Sequence, residues 1–514
     1  MLVSDAPFLP SVPVLTGRRR LCRVYPNVVL ITALLIWTCV ARLPFLHVLH
    51  DDEGFYSAVA SRWLRGELPY ATSFDVKAPG IFAVFAVAQA LFGVGLYVIK
   101  GLEIVFTVLG AWGLHRLLTR HASPRAAAAA AFLYPVYSLA LMGVAAPCEI
   151  VQAAATIWAF ALIADASAAN RGVASALFGG LLIGCAVTLK QTAAFEGAGL
   201  FGWLAWRAWR RRDSLPLGAF VVAGAAPMLA FAAYFALKGH LAEFYADTVR
   251  YACERSQLWL TLKPAPWYLE FPRRLFVLAE VQLPIAALTI GAVLAMIWRK
   301  RLERALTTPL IVRLGSVWWL AAFAGALVNR EPAGQYVMTL IAPGLLLVCL
   351  LLSEGIEFPA HRRRLWLSAF AVALAIQPVA ALTQLAKDPR LTPDYPGVVK
   401  ASQALKADGV RPGDDVLVLS RGHYVYVMTG ALPRAPYFNA MHLLCDFPLP
   451  DRDPIATDFR LRPRYVVLSN PDMALACGRL PQMRRMQAWL AKDYTLMSTE
   501  TGSWDSFLLY RRKS

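Results

Sequence analysis

Repeated apolar runs of about bilayer-crossing length fill most of this sequence up to about residue 384. They fall at about 26–46, 95–115, 127–144, 150–165, 173–189, 192–207, 216–237, 275–297, 311–328, 337–352 and 365–382, and a helix needs roughly 20 apolar residues to span the hydrocarbon. Only 16% of the residues carry charge, where a soluble chain carries about 25%. A polytopic α-helical membrane protein follows, with about 11 transmembrane helices (11–13) on this count.

The formal net charge of +18 would suggest a nucleic-acid partner in a soluble protein. Here the basic residues cluster between apolar runs, where they set orientation and meet anionic lipid, so nucleic acid is excluded as a partner class. Arg18, Arg19, Arg20 and Arg23 precede a full-length span without a small-residue cleavage site, so this start is not read as a cleavable signal. Residues 1–25 are expected in the cytoplasm. Arg116, Arg120, Arg125, the run Arg210–Arg212, the cluster Arg299-Lys300-Arg301 and Arg362–Arg364 then fall on the same side if 78–92 is an interfacial or re-entrant element. The outer loops are 47–94 and 238–274, within a membrane domain of 26–384.

From about Leu385 the composition becomes polar and proline-rich. Asp415–Ser420 and Arg464–Ser469 read as strands, 397–408 and 482–492 have helical spacing, and Phe507–Tyr510 supplies a further strand. A small C-terminal α/β soluble domain, 385–514, is expected on the outer, periplasmic face. Neither strand is followed by a glycine-rich nucleotide loop, which argues against a nucleotide-sugar site. The cysteines lack metal spacing; Cys445 and Cys477 are either a disulfide pair in an oxidising compartment or two free thiols.

Charge is least expected directly after the first span, in His50-Asp51-Asp52-Glu53-Gly54-Phe55-Tyr56. Three acids at a membrane boundary are costly. Acids do favour a helix N-terminus, and 53–65 has helical spacing, but one acid suffices for a cap. Asp51 is assigned to that cap, while Tyr56, one turn beyond Asp52, shares its face. Asp75 and Lys77 precede the stiff corner Pro79-Gly80. A lysine there either snorkels to headgroups or contacts a phosphate. Glu149 follows Pro147 at a turn between spans, and Lys190-Gln191, Arg330 and Gln335-Tyr336 occupy the same outer level. Singly each of these groups has a structural explanation; confined to one face, they suit an anionic substrate.

The pattern Asp52-Glu53-x-x-Tyr56 followed by Asp75-x-Lys77-x-Pro79-Gly80 resembles the first outer loop of the GT-C superfamily of polyprenyl-phosphate-dependent glycosyltransferases. The resemblance is to its aminoarabinose-transferase-like and protein-mannosyltransferase-like group. It extends through Leu91-Phe92-Gly93, the Glu149 turn, Lys190-Gln191-Thr192 and Gln335-Tyr336 with Pro343, and covers most of the membrane part. It implies a GT-C fold and a catalytic aspartate at Asp52, with Glu149 at the second acidic position. The family's Lys-Pro-Pro element falls on Lys77-Ala78-Pro79, where Ala78 replaces a proline. Its late His-Tyr element falls on Gln335-Tyr336, and Gln335 cannot carry a proton.

The implied donor is a sugar on polyprenyl phosphate (undecaprenyl phosphate in a bacterial inner membrane); the acceptor is a hydroxyl or phosphate on a lipid such as lipopolysaccharide, a glycan or a protein. Asp52 would act as base, with Glu149 orienting the acceptor or raising the basicity of Asp52. Lys77, Arg330 and Lys190 would hold the donor phosphate, and Glu53, Tyr56, Asp75, Gln335 and Tyr336 would contact substrate. Transfer is expected to invert the anomeric centre without a metal or other cofactor. The rival reading is a transporter or flippase of lipid-linked sugars; it lacks the paired repeats and broken helices expected of alternating access. Tyr245, Tyr251, Trp259, Trp267 and Tyr268 in loop 238–274 suit either an acceptor cover or an interfacial aromatic belt.

Overall fold

The structure is a computed structural model of the chain. It describes residues 18–46, 48, 51–139, 143, 147–168, 172–254, 283–306, 309–328, 334–354, 368, 371–372, 375–377, 379–383, 395–419, 422–438, 453–469, 481–502 and 506–514.

The membrane part opens with α1 (Arg18–Arg42), continued by a 3-10 turn at Leu43–Phe45. A short helix α2 (Asp51–Leu64) follows, then α3 (Gly80–Phe92), α4 (Leu96–His121) and α5 (Pro124–Tyr137). Next come α6 (Pro147–Ala168), α7 (Gly172–Leu189), α8 (Ala193–Arg211) and α9 (Leu215–Leu237). Further helices cover Leu283–Ile297, Leu310–Val328 and Ile341–Glu354. Among the described residues, 6 helices are long and apolar enough to cross a membrane: Pro26–Phe45, Leu96–His121, Cys148–Asp165, Gly172–Leu189, Leu215–Leu237 and Leu310–Val328. Among the described residues these are fewer than the eleven spans counted from hydropathy, and some of the counted runs form shorter helices there. The segment 78–92, expected to be interfacial, is likewise a short helix. At 13 residues α3 reaches only about 20 Å, short of the bilayer's apolar thickness.

The middle of the bundle is α6. It buries Ile150, Ile157, Phe160 and Ile163, and Phe160 stacks on Trp318 at 4.4 Å. Helices α7 and α9 approach at backbone distance. A side chain at Gly180 would strike the Phe220 carbonyl, and one at Gly184 the Gly224 carbonyl, which is how small residues let apolar helices pack without a solvent-driven force. With its neighbours so close, α6 carries Glu149 in its first turn on a rigid support.

The C-terminal part forms a 4-stranded sheet in the order β1-β2-β4-β3, with β1 Val416–Leu419, β2 Tyr465–Ser469, β3 Tyr494–Thr501 and β4 Ser506–Arg512. β1 and β2 are parallel, Val416 opposite Tyr465, and β2 and β4 antiparallel, Val467 opposite Leu509. Helices Tyr395–Ala407 and Pro481–Asp493 match the helical spacing read from the sequence. β3 was not anticipated: its polar sequence, with a single buried residue, carries little strand signal. Sheet and membrane part share one apolar core, in which Phe55, Tyr56, Phe82 and Phe85 of α2 and α3 join Val416–Leu419, Tyr424 and Phe438. Cys445 and Cys477 lie outside the described residues.

Candidate active site

The three acids of α2 point in three directions because successive helix residues are about 100° apart. Asp51 turns to the C-terminal domain. Its Oδ1 accepts from the backbone N–H groups of Gly422 (2.8 Å) and His423 (2.9 Å), and its Oδ2 lies 2.6 Å from His423 Nδ1. Expected to cap its own helix, Asp51 also anchors a segment 371 positions away. Glu53 is fully buried. It accepts a 2.6 Å hydrogen bond from the Tyr424 hydroxyl and lies 3.6 Å from Lys100 Nζ. Expected to contact substrate, Glu53 here ties α2 to α4 and to the sheet domain.

Asp52 remains partly open, at 36% side-chain exposure, and Lys77 Nζ approaches its Oδ2 to 3.3 Å. The Tyr56 hydroxyl donates to the same oxygen at 3.2 Å, and Lys77 Nζ also sits 5.0 Å from the Tyr56 ring. Tyr56 itself is fully buried. Burial first, then the Asp52 carboxylate, hold its phenol well above the ordinary tyrosine range. It stays a donor.

The segment carrying Lys77 is strapped at several points. Asp75 Oδ1 accepts from Lys77 N–H (3.0 Å), the Tyr70 hydroxyl donates to the Lys77 carbonyl (2.7 Å), and Gln191 Nε2 donates to the Val76 carbonyl (2.9 Å). Ala78, in place of the family's proline, is completely buried, and Pro79 caps α3. Gly80 lies so close to α7 that a Cβ would come within 2.5 Å of Thr188 Oγ1 and 2.6 Å of its carbonyl oxygen. Burial pulls the Lys77 ammonium toward neutrality, but the Asp52 and Asp75 carboxylates outweigh it and its pKa is raised. Asp75 is buried, with no hydrogen-bond partner on Oδ2; burial pushes its pKa up against the pull of Lys77.

A second carboxylate–lysine pair stands beside the first. Lys190, just beyond α7, bonds Glu149 Oε1 and lies 4.0 Å from the Tyr336 ring centroid. Burial lowers the Lys190 pKa and Glu149 more than restores it. The Tyr56 phenol feels Asp52, Glu149 and Asp75 together, and Lys77 feels Tyr336, so the two pairs form one electrostatic cluster. The structure thus gathers Asp52, Tyr56, Asp75, Lys77, Glu149, Lys190 and Tyr336 at the end of the bundle where the sheet domain packs. Arg330 and the side chain of Gln335 lie outside the described residues. Among the described residues, no three His, Cys, Asp or Glu side chains gather in a way that would hold a metal ion.

Loop 238–274 is described up to residue 254. There Phe244 packs on Tyr70 (5.5 Å) and Tyr251 on Phe74 (5.3 Å), so this part covers the 70–75 turn, while Tyr245 is exposed. Trp259, Trp267 and Tyr268 lie outside the described residues.

Several polar positions were missed in the sequence. Arg42 Nε lies 3.1 Å from Glu103 Oε1, and Lys100 lies 3.6 Å from both Glu103 and Glu53, making a buried charge chain from α1 to α2. Charges inside apolar helices were the available signal. Deeper, Glu196 accepts from Trp318 Nε1 (2.7 Å) and Gln152 Nε2 (3.2 Å). His423 and Tyr424 carried no local signal, since their partners lie so far away in the chain.

A long helical membrane part, a short acid-bearing helix after the first span and a small sheet domain over it make up a fold that the chain shares with solved structures of ArnT and of an archaeal oligosaccharyltransferase. Residues 76–235 match the dolichyl-phosphate-mannose-protein mannosyltransferase family. Among solved structures, the chain is similar to ArnT from Cupriavidus metallidurans bound to undecaprenyl phosphate, with TM-score 0.63 and 16% identity over 94% of this chain and 97% of that one. The apo state of the same ArnT gives TM-score 0.59 and 16% identity over 95% and 98%. The oligosaccharyltransferase of Archaeoglobus fulgidus in the apo form gives TM-score 0.56 and 15% identity, over 90% of this chain and 72% of that one. No curated protein sequence matches the chain.

Proposed function

We propose that this protein is a membrane glycosyltransferase that moves a sugar from a polyprenyl-phosphate donor to an acceptor hydroxyl or phosphate on a lipid, glycan or protein. The observation carrying this reading is the partly exposed Asp52 carboxylate with Lys77 Nζ 3.3 Å away: a base and a phosphate partner side by side. In the reaction the acceptor oxygen attacks the anomeric carbon from the face opposite the phosphate, and its proton passes to Asp52. The bond between the anomeric carbon and the phosphate oxygen breaks, with its electrons staying on the departing polyprenyl phosphate. Lys77, with Arg330, stabilises that growing charge. A single displacement inverts the anomeric configuration.

Glu149 orients the acceptor, held in place by Lys190, which serves as a further ligand for the donor phosphate. Tyr56 fixes the rotamer of Asp52, Asp75 fixes the Lys77 turn, and Gln335 and Tyr336 border the substrate. The protein acts as a multi-pass bacterial inner-membrane enzyme with about eleven spans, a membrane catalytic part over 26–384, and its site and the 385–514 domain facing the periplasm. The fold's likeness to ArnT bound to undecaprenyl phosphate supports that donor class.

The test is incubation of the purified full-length protein in detergent with a panel of undecaprenyl-phosphate sugars, with mass analysis of the products. Release of undecaprenyl phosphate coupled to sugar transfer is expected, and Asp52→Asn abolishes it in a folded protein. Vectorial movement of the intact donor in vesicles, without cleavage, would instead establish the flippase.

A further inference from the structure

The C-terminal domain meets α2 at one tripeptide, Gly422-His423-Tyr424. Every residue of the tripeptide touches the acidic turn: Gly422 and His423 through their N–H groups on Asp51 Oδ1, His423 through its ring on Asp51 Oδ2, and Tyr424 through its hydroxyl on Glu53 Oε2. The backbones touch as well, since a Cβ on Gly54 would come within 2.5 Å of Tyr424 N and 2.6 Å of His423 C. On a helical wheel Asp51, Gly54 and Glu53 stand at about 0°, 300° and 200°, an arc centred near 280°, and Asp52 stands at about 100°. The docked arc is therefore diametrically opposite Asp52. Gripping α2 from that side fixes both the rotation and the height of Asp52 relative to Lys77, without touching either.

The histidine's bonding defines its charge. Nδ1 lies 2.6 Å from a carboxylate oxygen and Nε2 lies 3.0 Å from the Phe438 carbonyl oxygen. Both partners only accept, so both ring nitrogens must donate, and the ring is an imidazolium. The ring is fully buried, with Phe55 (5.6 Å) and Phe438 (5.8 Å) against it. The titratable groups around it are Asp51, which it touches, the Tyr426 phenol one turn on, and, acting only through its charge from the far side of α2, Asp52. Loss of the second proton breaks one of the two ring bonds and removes the charge that Asp51 faces.

We propose that Gly422-His423-Tyr424 is a positioning element for the reaction, through which the C-terminal domain sets the Asp52–Lys77 geometry and makes turnover depend on His423 being protonated. This rests on reading Asp52 as the base. His423 and Tyr424 are positioning residues, since neither reaches the reacting atoms.

The experiment uses full-length protein in detergent, with turnover of undecaprenyl-phosphate sugar and separate binding of undecaprenyl phosphate. His423→Gln and Tyr424→Phe are compared with Asp52→Asn, after size-exclusion and thermal checks of folding. His423→Gln is expected to lower kcat about tenfold to a hundredfold, the scale of a small misplacement of a reacting group, with KM and undecaprenyl phosphate affinity within about twofold of wild type. The alkaline fall in kcat that wild type shows as His423 deprotonates disappears in His423→Gln. Tyr424→Phe, which removes one hydroxyl, lowers kcat severalfold and keeps that alkaline fall; it carries the test if His423→Gln fails to fold. Wild-type kcat in folded His423→Gln or Tyr424→Phe, with Asp52→Asn inactive, overturns the positioning role and leaves the base intact. Activity retained in Asp52→Asn overturns the base assignment itself.

Discussion

Lys77 Nζ rests 3.3 Å from Asp52 Oδ2, with the lysine side chain 28% exposed and the aspartate 36%. In the absence of a donor, the proposed phosphate ligand and the proposed base thus neutralise each other. Arrival of a phosphate gives Lys77 a stronger anionic partner. Asp52 then loses its cation at the moment an acceptor proton needs a home. The Tyr56 hydroxyl donates to the same Asp52 oxygen.

That exchange predicts opposite effects for the two residues on binding. Asp52→Asn abolishes turnover yet tightens undecaprenyl phosphate binding about twofold to fivefold, since a partly exposed ion pair competes by no more than about 1 kcal/mol. Lys77→Met weakens the same binding about tenfold to a hundredfold, the value of a charge-assisted hydrogen bond. Titration calorimetry with the purified variants measures both. Weaker binding in Asp52→Asn would show that the two residues do not compete.

Glu149 and Lys190 are a more buried pair, at 7% and 16% side-chain exposure, and predict a stability pattern. Glu149→Ala leaves a buried ammonium against the Tyr336 ring without its carboxylate and destabilises the protein by about 3 kcal/mol; the double variant Glu149→Ala with Lys190→Met recovers part of that loss. Thermal unfolding in detergent of the two single variants and the double variant closes the cycle. Strict additivity would mean the pair contributes nothing jointly.

How far the sequence reveals this arrangement depends on the range over which each residue acts. Asp52 and Lys77 are conspicuous because charge at a membrane boundary is improbable without a use, and they lie within one loop. The strands at 416–419 and 465–469 carry their own β-branched, apolar pattern. Asp51 and Glu53, by contrast, look like Asp52 in sequence. Only the placement of His423 and Tyr424 separates the three, and nothing near Asp51 encodes a contact 371 residues away. The run at 78–92 is legible by its length: expected to be interfacial, it forms a helix of 13 residues, Gly80–Phe92, too short to cross the apolar layer.

Gly80 predicts a steric effect on the site. The nearest atoms to a new Cβ belong to Thr188, including its backbone carbonyl carbon at 2.7 Å, so the side chain alone cannot move aside. Gly80→Ala must push α3 from α7 and shift the preceding Lys77 turn, costing about 1–3 kcal/mol as overpacking does. Both the melting temperature and undecaprenyl phosphate affinity should fall. A variant with wild-type values for both would show that the turn tolerates the displacement.

Asp458 gives a pH prediction confined to the C-terminal domain. Its side chain is fully buried, Oδ1 accepts from Tyr437 N–H at 3.0 Å, and Oδ2 has no hydrogen-bond partner. Burial pushes its pKa up to about 8, against the smaller pull of the Tyr437 N–H and Arg62. The folded pKa is raised above the unfolded value, so the folded state holds the proton more tightly. Its contribution is fully present below pH 4 and is lost as pH rises toward about 8, by at most about 1.4 kcal/mol per pH unit. Asp458→Asn keeps the oxygen that accepts from Tyr437 and removes the ionisation. The melting temperature of wild type should therefore drop relative to Asp458→Asn between pH 5 and pH 8, with the two closest at pH 5. Parallel curves for the two proteins across that range would place the Asp458 carboxylate in contact with water or a cation that stabilises its charge.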